Sequence, residues 1–252
     1  MDNHSSPWAS GPKEILIHAT ELLNQDSDSS RRLAMIIVDN AVELMVKTFL
    51  GLPKRITGIH IARVKYQEIS ESFPKLLDAL EEHASGKLDG INLGEIEWYH
   101  RLRNQLYHQG NGLTIEREKV TVYSELAKLL FLRLFDESLD IVESPDTEKL
   151  GNFLFKWSRF EKGITNYSEL VADTFGRTPS ALAAARILVE EGKMSAELFI
   201  EFHIINDIRN RVVHGEGNFQ SLLTDELLTS LNRLDEWLKL QDKQYRDESQ
   251  EF

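Results

Sequence analysis

The stretch Arg103–His108, with the sequence RNQLYH, carries the pattern R-N-x-x-x-H, and the same pattern returns at Arg209–His214 as RNRVVH. Each copy runs directly into a glycine-bearing turn, QGNG at 109–112 and GEG at 215–217. At ordinary residue frequencies, two such matches arise by chance in on the order of one chain in ten thousand. The repetition therefore indicates two copies of one module, each with an arginine and a histidine that can act on a phosphodiester.

Apolar residues around both motifs recur at helical spacing, and strand-like alternation is scarce, so we expect an all-α fold. The first long helix is predicted over 30–50, with Ser29 or Ser30 as its N-cap and a stop at Gly51 and Pro53. Its apolar stripe is predicted to contain Leu33, Ile37, Ala41, Leu44 and Thr48.

Each motif is expected near the end of a penultimate helix, with one further helix after it. Helices over 93–109 and 115–136 serve the first motif, and helices that begin after Ser195 and Thr224 serve the second. Two further helices are predicted near 148–172 and 179–191. The order of helices thus repeats along the chain.

An acidic stretch that contains Pro145 interrupts the helical pattern and marks a domain boundary. Within the first module, 52–72 is predicted to be an irregular insertion. The predicted organisation is a flexible tail at 1–11, a first helical domain at 12–138, a linker at 139–147, and a second helical domain at 148–252 that frays from Asp242 onward.

The composition limits the partners that the chain can have. With 41 acidic and 29 basic side chains, its net charge of −12 argues against generic coating of nucleic acid, so any RNA contact must be local. No apolar run approaches the roughly 20 residues of a membrane span, and the N-terminus lacks the pattern of a signal peptide. Cysteine is absent, which excludes disulfides and thiolate metal sites. We therefore expect a cytoplasmic protein with no membrane contact and no cofactor or metal.

The residue types of the motif suit cleavage of RNA without a metal. Arginine offers a planar fork of donors to phosphate oxygens, and histidine transfers protons near neutral pH. Arg103 and His108, like Arg209 and His214, are five residues apart and so about 140° apart on an ideal helix. The glycines that follow predict a helix end, with each histidine in the last turn or the loop, from which it can turn toward the arginine. The helix dipole favours the protonated imidazole at that end.

The asparagines Asn104 and Asn210 have three possible roles: holding the histidine tautomer, orienting a ribose hydroxyl, or satisfying the backbone. Cleavage needs two proton-transfer groups, one that takes the proton of the 2′-hydroxyl and one that protonates the departing 5′ oxygen. His108 and His214 supply both if the two motifs face each other. Arg103 and Arg209 then stabilise the negative charge that develops on the phosphate.

The duplicated motif and its position on a late helix resemble the HEPN superfamily (higher eukaryote and prokaryote nucleotide-binding domains). Ribonucleases of that family carry R-x4-6-H, often with a polar residue after the arginine, and pair two copies into one composite site without a known metal requirement. The resemblance implies two tandem HEPN-like bundles and an RNA-targeting toxin or antiviral defence component, with RNA as substrate, a cognate inhibitor or antitoxin as partner, and a homodimer as one assembly. It also implies an acidic residue on an earlier helix, for which Asp39, Glu43 and Glu161 are candidates.

Two other interpretations remain open. The modules can be non-catalytic nucleotide- or partner-binding domains, or each motif can be a capped helix end with a solvated arginine. Tyr107 is expected to pack in the core of its module, with stacking on a base as the alternative. The aromatic residues Trp98, Tyr99 and His100 are expected to be core or interface residues.

Overall fold

The computed structural model describes residues 6–109, 114–139, 141, 144–172 and 179–250. These ranges contain helices and turns and no strand, so the all-α prediction is confirmed. No helix within them combines the length and apolarity needed to cross a bilayer. The chain divides into two units, Met1–Gly151 and Asn152–Phe252.

The first unit is built around one long buried helix, which packs against most of the others. Its helices are α1 (Ser10–Asn24), α2 (Asp28–Gly51), α3 (Lys54–Thr57), α4 (Arg63–Ser70), α5 (Phe73–Ala84), α6 (Leu93–Gln109) and α7 (Arg117–Phe135). Helix α2 contacts α1, α5, α6 and α7, so its core face is wide. The helix that carries the first motif, α6, lies against α2, α5 and α7.

Two details of α2 differ from the sequence prediction. Its N-cap is Ser27, whose hydroxyl accepts the backbone N–H of Ser30 at 3.1 Å, so the helix begins before the predicted serine pair. The predicted apolar stripe is wrong at two positions, because Leu33 is 48% exposed and Leu44 36% exposed, whereas Ala41 is fully buried. The buried face is the adjacent stripe that includes Met35 and Val42, which the neighbouring helices cover from several sides.

The segment 52–72, predicted to be irregular, contains the short helices α3 and α4. Helix α4 is tied to α2 because the hydroxyl of Tyr66 donates to the carbonyl of Lys47 at 2.9 Å. Gly51 lies under the same ring, since a Cβ there would come within 3.1 Å of the Tyr66 oxygen. The prediction of an irregular insertion is therefore wrong for this segment.

The second unit has fewer helices and an aromatic core. Its helices are α8 (Pro145–Ala172), which begins in the first unit, α9 (Ala181–Glu190), α10 (Ala196–Val213), α11 (Phe219–Leu222) and α12 (Asp225–Gln250). The indole of Trp157 on α8 stacks on Phe202 of α10 with ring centroids 5.9 Å apart. As predicted, Ser195 caps α10 and Thr224 caps α12, each accepting the N–H three residues later.

Three boundaries differ in detail from those predicted. Along the chain, the boundary between the units falls within α8, just after the predicted linker at 139–147. Residues 140, 142 and 143 of that linker lie outside the described residues. The short α11 comes between α10 and α12, so α10 is not strictly the penultimate helix. Helix α12 runs to Gln250 and so covers most of the segment predicted to fray.

Candidate functional site

The first motif places Arg103 against a buried carboxylate. Nε of Arg103 on α6 donates to Oδ2 of Asp39 on α2 at 2.6 Å, and its terminal nitrogen forms an ion pair with the same oxygen. Asp39 is fully buried and the Arg103 side chain is only 15% exposed. Glu43, one turn further along α2, lies 4.0 Å from the same guanidinium. Of the three acidic candidates, Asp39 is therefore the one that contacts the Arg103 guanidinium directly.

The Asp39 carboxylate accepts hydrogen bonds from two more residues, which lie on two different helices. Nδ1 of His100 on α6 lies 3.1 Å from both of its oxygens, and the hydroxyl of Tyr123 on α7 donates to Oδ1 at 2.8 Å. Burial alone would raise the pKa of Asp39, but the His100 and Tyr123 hydrogen bonds, with the charge of Arg103, outweigh burial and lower the pKa. The carboxylate is thus ionised at neutral pH and joins α2, α6 and α7.

Burial and the neighbouring Asp39 raise the pKa of Tyr123 well above its ordinary value, so this phenol remains a proton donor to the carboxylate. The ring of Tyr123 stacks on Tyr99, with centroids 4.7 Å apart and planes within 8° of parallel. Tyr99 is fully buried, as predicted for a core aromatic residue. The Asp39 carboxylate and the Tyr123 hydroxyl are therefore buried beside a pair of stacked tyrosine rings.

The asparagine of the first motif contacts its own arginine. NH1 of Arg103 donates to Oδ1 of Asn104 at 2.8 Å. Asn104 thus orients the guanidinium, a role that differs from the three considered from sequence. His108 belongs to the last turn of α6, but its side chain lies outside the described residues.

The second motif repeats the arginine–asparagine contact. NH1 of Arg209 on α10 donates to Oδ1 of Asn210 at 3.0 Å, and NH2 lies 3.7 Å from Glu161 of α8. The Arg209 side chain is 11% exposed, and burial lowers its pKa to about 10, so it remains charged at neutral pH. Glu161 is 27% exposed, so this carboxylate is more hydrated and more distant than Asp39.

The helix of the second motif ends where the glycine predicted. Helix α10 stops at Val213, and His214 is its C-cap residue. Gly215 has φ of +65°, and the N–H groups of Gly215 and Glu216 bond back to the carbonyls of Val212 and Arg211, which is a Schellman motif. The histidine therefore lies at the carbonyl end of the helix dipole, where a positive charge is stabilised.

Helix α6 continues through His108 to Gln109, so the first motif differs from the second at this point. Both histidines lie at a helix end, as expected: His108 is in the last turn of α6, and His214 is the C-cap residue of α10. Position 108 stays about 140° from position 103 around the helix axis.

Tyr107 is 64% exposed, so the prediction that it packs in the core is wrong. On α6, the neighbouring positions 99 and 103 face the core and its buried carboxylate, and position 107 falls beyond the edge of that face. Stacking on a base, the alternative for this residue, stays a prediction.

Sequence reasoning missed two members of the network, Tyr123 and the role of His100. His100 has a detectable signal, because it precedes Arg103 by three residues and so shares its helix face. Tyr123 has none, since only tertiary packing brings α7 to Asp39, which lies 84 residues away in the chain.

A separate cavity of about 550 Å³ opens in the first unit between the ends of α2, α5 and α7. It is lined by apolar residues such as Trp8, Phe49 and Ile56, with the ion pair between Lys87 and Asp136 at its edge. No motif residue lines it, so the candidate site and this cavity are distinct features.

Among the described residues, no three histidine, aspartate or glutamate side chains come together in a way that could hold a metal ion. The polar groups that do converge are an arginine, an asparagine and a carboxylate in each unit, joined in the first unit by a histidine and a tyrosine. Comparison of the chain with protein-family models, with curated proteins and with solved structures found no match.

Proposed function

We propose that this chain is an endoribonuclease of HEPN type that cleaves RNA without a metal ion, as a toxin or antiviral defence component. One observation carries the proposal: the same arrangement around the motif arginine occurs in both units. Arg103 and Arg209 each donate to the following asparagine and each lie near a carboxylate from a long earlier helix. This recurrence also supports the interpretation of the chain as two tandem HEPN-like modules.

The burial of both arginines argues against the interpretation of solvated side chains at capped helix ends. Arg103 is 15% exposed and Arg209 is 11% exposed, and each is held by its asparagine. A guanidinium held in one orientation loses little further entropy when it binds a phosphate, which is how preorganised charges stabilise a transition state.

In the proposed reaction, a base takes the proton of the ribose 2′-hydroxyl, and the 2′ oxygen forms a bond to phosphorus. The bond from phosphorus to the 5′ oxygen breaks, and an acid protonates that oxygen. His214 suits the acid, because the helix end favours its protonated form. The first unit supplies the base, which the motif pattern assigns to His108. The products are a 2′,3′-cyclic phosphate and a 5′-hydroxyl.

The test is cleavage of end-labelled RNA in EDTA by the wild-type chain and by Arg103→Ala, His214→Ala and the double variant. Loss of one general acid typically costs about 100- to 10,000-fold, and we expect the double variant to lose little more than the worse single one. Arg101→Ala is the matched control, because Arg101 lies on the same helix, is 64% exposed and forms an ion pair with Glu97 at 3.8 Å. Thermal melts verify that each variant is folded.

Mixing the two single variants decides how the site is assembled. If one site forms across a homodimer, a mixture of Arg103→Ala and His214→Ala chains regains activity, because a mixed pair contains one intact site. If the site forms within one chain, the mixture stays inactive. Near-wild-type cleavage by the folded double variant would refute the catalytic proposal in either case.

A non-catalytic module that binds a nucleotide or a partner protein is the alternative. It has a specific observation in its favour, since Asp39 already occupies the Nε edge of Arg103. Under that alternative the purified protein binds RNA or a nucleotide, and labelled RNA stays intact with EDTA and with magnesium. Detection of cyclic-phosphate products would exclude it.

A further inference from the structure

His100 lies beside the motif arginine on the face of α6 that meets Asp39. It precedes Arg103 by three residues, so the two positions are about 60° apart around the helix, and both side chains contact the same carboxylate. Position 108 is about 140° from Arg103 on a helix that continues to Gln109. By backbone position, His100 is therefore the better placed histidine of the first unit.

The imidazole of His100 is held on two sides. Nδ1 donates to Asp39 at 3.1 Å, and the ring stacks on Phe73 of α5 with centroids 4.0 Å apart and planes within 15°. Among the residues that the structure describes, none is hydrogen-bonded to Nε2. The side chain is 13% exposed. A carboxylate that takes Nδ1–H fixes the tautomer in which Nε2 accepts a proton.

The charged and titratable groups around His100 come from three helices. Asp39 of α2 contacts it directly, Arg103 and Tyr123 contact the same carboxylate from α6 and α7, and Glu43 of α2 lies 4.0 Å from Arg103. Phe73 contributes no charge from α5. The Asp39 carboxylate orients the imidazole through Nδ1–H.

The second unit has no counterpart of this histidine. The residue three positions before Arg209 is Asn206, whose amide does not act as a base near neutral pH. Its carboxylate, Glu161, lies 3.7 Å from Arg209, beyond hydrogen-bond distance. The two units therefore differ in chemistry, with a carboxylate-held histidine in the first and a histidine at a helix end in the second.

We propose that His100 is the catalytic base of the first unit, in the place that the motif pattern assigns to His108. The inference rests on the proposed endoribonuclease function. Nε2 of His100 takes the proton of the ribose 2′-hydroxyl as the 2′ oxygen bonds to phosphorus. The bond from phosphorus to the 5′ oxygen breaks, and that oxygen is protonated by the general acid of the proposed reaction. The imidazolium of His100 then returns its proton to solvent. Arg103, on the same face, neutralises the phosphate charge.

The test measures single-turnover cleavage of labelled RNA by the wild type, His100→Ala, His100→Gln and Arg101→Ala over a range of pH. We expect both His100 variants to lose about 100-fold or more, together with the limb of the pH profile that reports the base. Arg101→Ala is the control on the same helix, because its side chain is 64% exposed, and it is expected to cleave at the wild-type rate. Added imidazole is expected to restore cleavage to His100→Ala, because the free base replaces the missing group.

Each outcome decides the proposal. If the wild type cleaves and His100→Ala cleaves equally well, the assignment of His100 is overturned and the endoribonuclease function stands. If both His100 variants lose activity but keep the wild-type pH profile and do not respond to imidazole, His100 is structural and the proposal also falls. If the wild type leaves RNA intact, the proposed function fails and this inference fails with it.

Discussion

Replacement of Asp39 by asparagine tests whether the polar network holds the first unit together. In the wild type, one fully buried carboxylate accepts from Arg103, His100 and Tyr123. An amide has only one accepting oxygen, and its NH₂ group opposes one of these donors. Asp39→Asn therefore removes the negative charge in direct contact with Arg103, which is 15% exposed, and leaves Glu43 at 4.0 Å.

Breaking a buried ion pair by removing one partner typically costs about 3–5 kcal/mol. In a protein of this size, each kcal/mol lowers the melting temperature by about 2–4 °C, so the expected decrease is about 6–20 °C. The matched variant is Glu161→Gln in the second unit, where the carboxylate is 27% exposed and lies 3.7 Å from its arginine. An ion pair that water reaches contributes about 0–1 kcal/mol, so this variant is expected to lose at most about 4 °C.

Differential scanning calorimetry at neutral pH is the appropriate measurement, because two units need not unfold in one transition. Urea denaturation gives the corresponding free energies of unfolding. The effect of Asp39→Asn should be confined to the transition of the first unit. Equal and small losses in the two variants would refute the argument that burial and hydrogen bonding make the Asp39 network strong.

Three further predictions concern the same groups. Hydrogen bonding lowers the pKa of Asp39, so the contribution of this carboxylate to stability is full above its ordinary pKa of 3.8 and is lost as the pH falls through the folded-state pKa. The difference in unfolding free energy between wild type and Asp39→Asn should therefore shrink below about pH 4. Urea titration at several pH values measures this difference. Gly215→Ala and Gly192→Ala should each lower the free energy of unfolding by about 1–2 kcal/mol, because both glycines have positive φ at helix ends. RNA cleavage should fall only in Gly215→Ala, because that substitution moves His214. Equal cleavage by the two variants would contradict this prediction. Arg103→Lys and Arg209→Lys should each cleave labelled RNA at least about 10-fold more slowly than wild type, because an ammonium cannot donate from a planar fork, and wild-type rates would rule out a guanidinium requirement.

Local signals in the chain predicted much of the fold. Apolar periodicity placed α6, α8 and α10 close to their observed ranges, and serine or threonine caps marked where α10 and α12 begin. The glycine after the second motif predicted the end of α10. These signals succeed because caps and left-handed turns depend on a few neighbouring residues.

The errors arose where packing between helices decides the outcome. Helix α2 has apolar residues on most of its circumference, so periodicity alone did not show that Leu33 and Leu44 face outward. Tyr107 was expected inside and is exposed, because the edge of the buried face of α6 depends on which helices cover it. The segment 52–72 forms helices since Tyr66 anchors it on α2, a contact between residues 19 positions apart.

The helical fold, the duplication of the R-N-x-x-x-H pattern and the arginines and asparagines that belong to it can be read from the amino-acid sequence. The direct contact of Asp39 rather than Glu43 with Arg103, and the hydrogen bonds of His100 and Tyr123 to the same carboxylate, depend on how the helices pack. A buried charge is stable only when the surrounding elements donate hydrogen bonds to it. The donors to Asp39 come from residues 61 to 84 positions away in the chain. No local pattern records such distant partners, whereas helix periodicity and caps are contained within a few turns of chain.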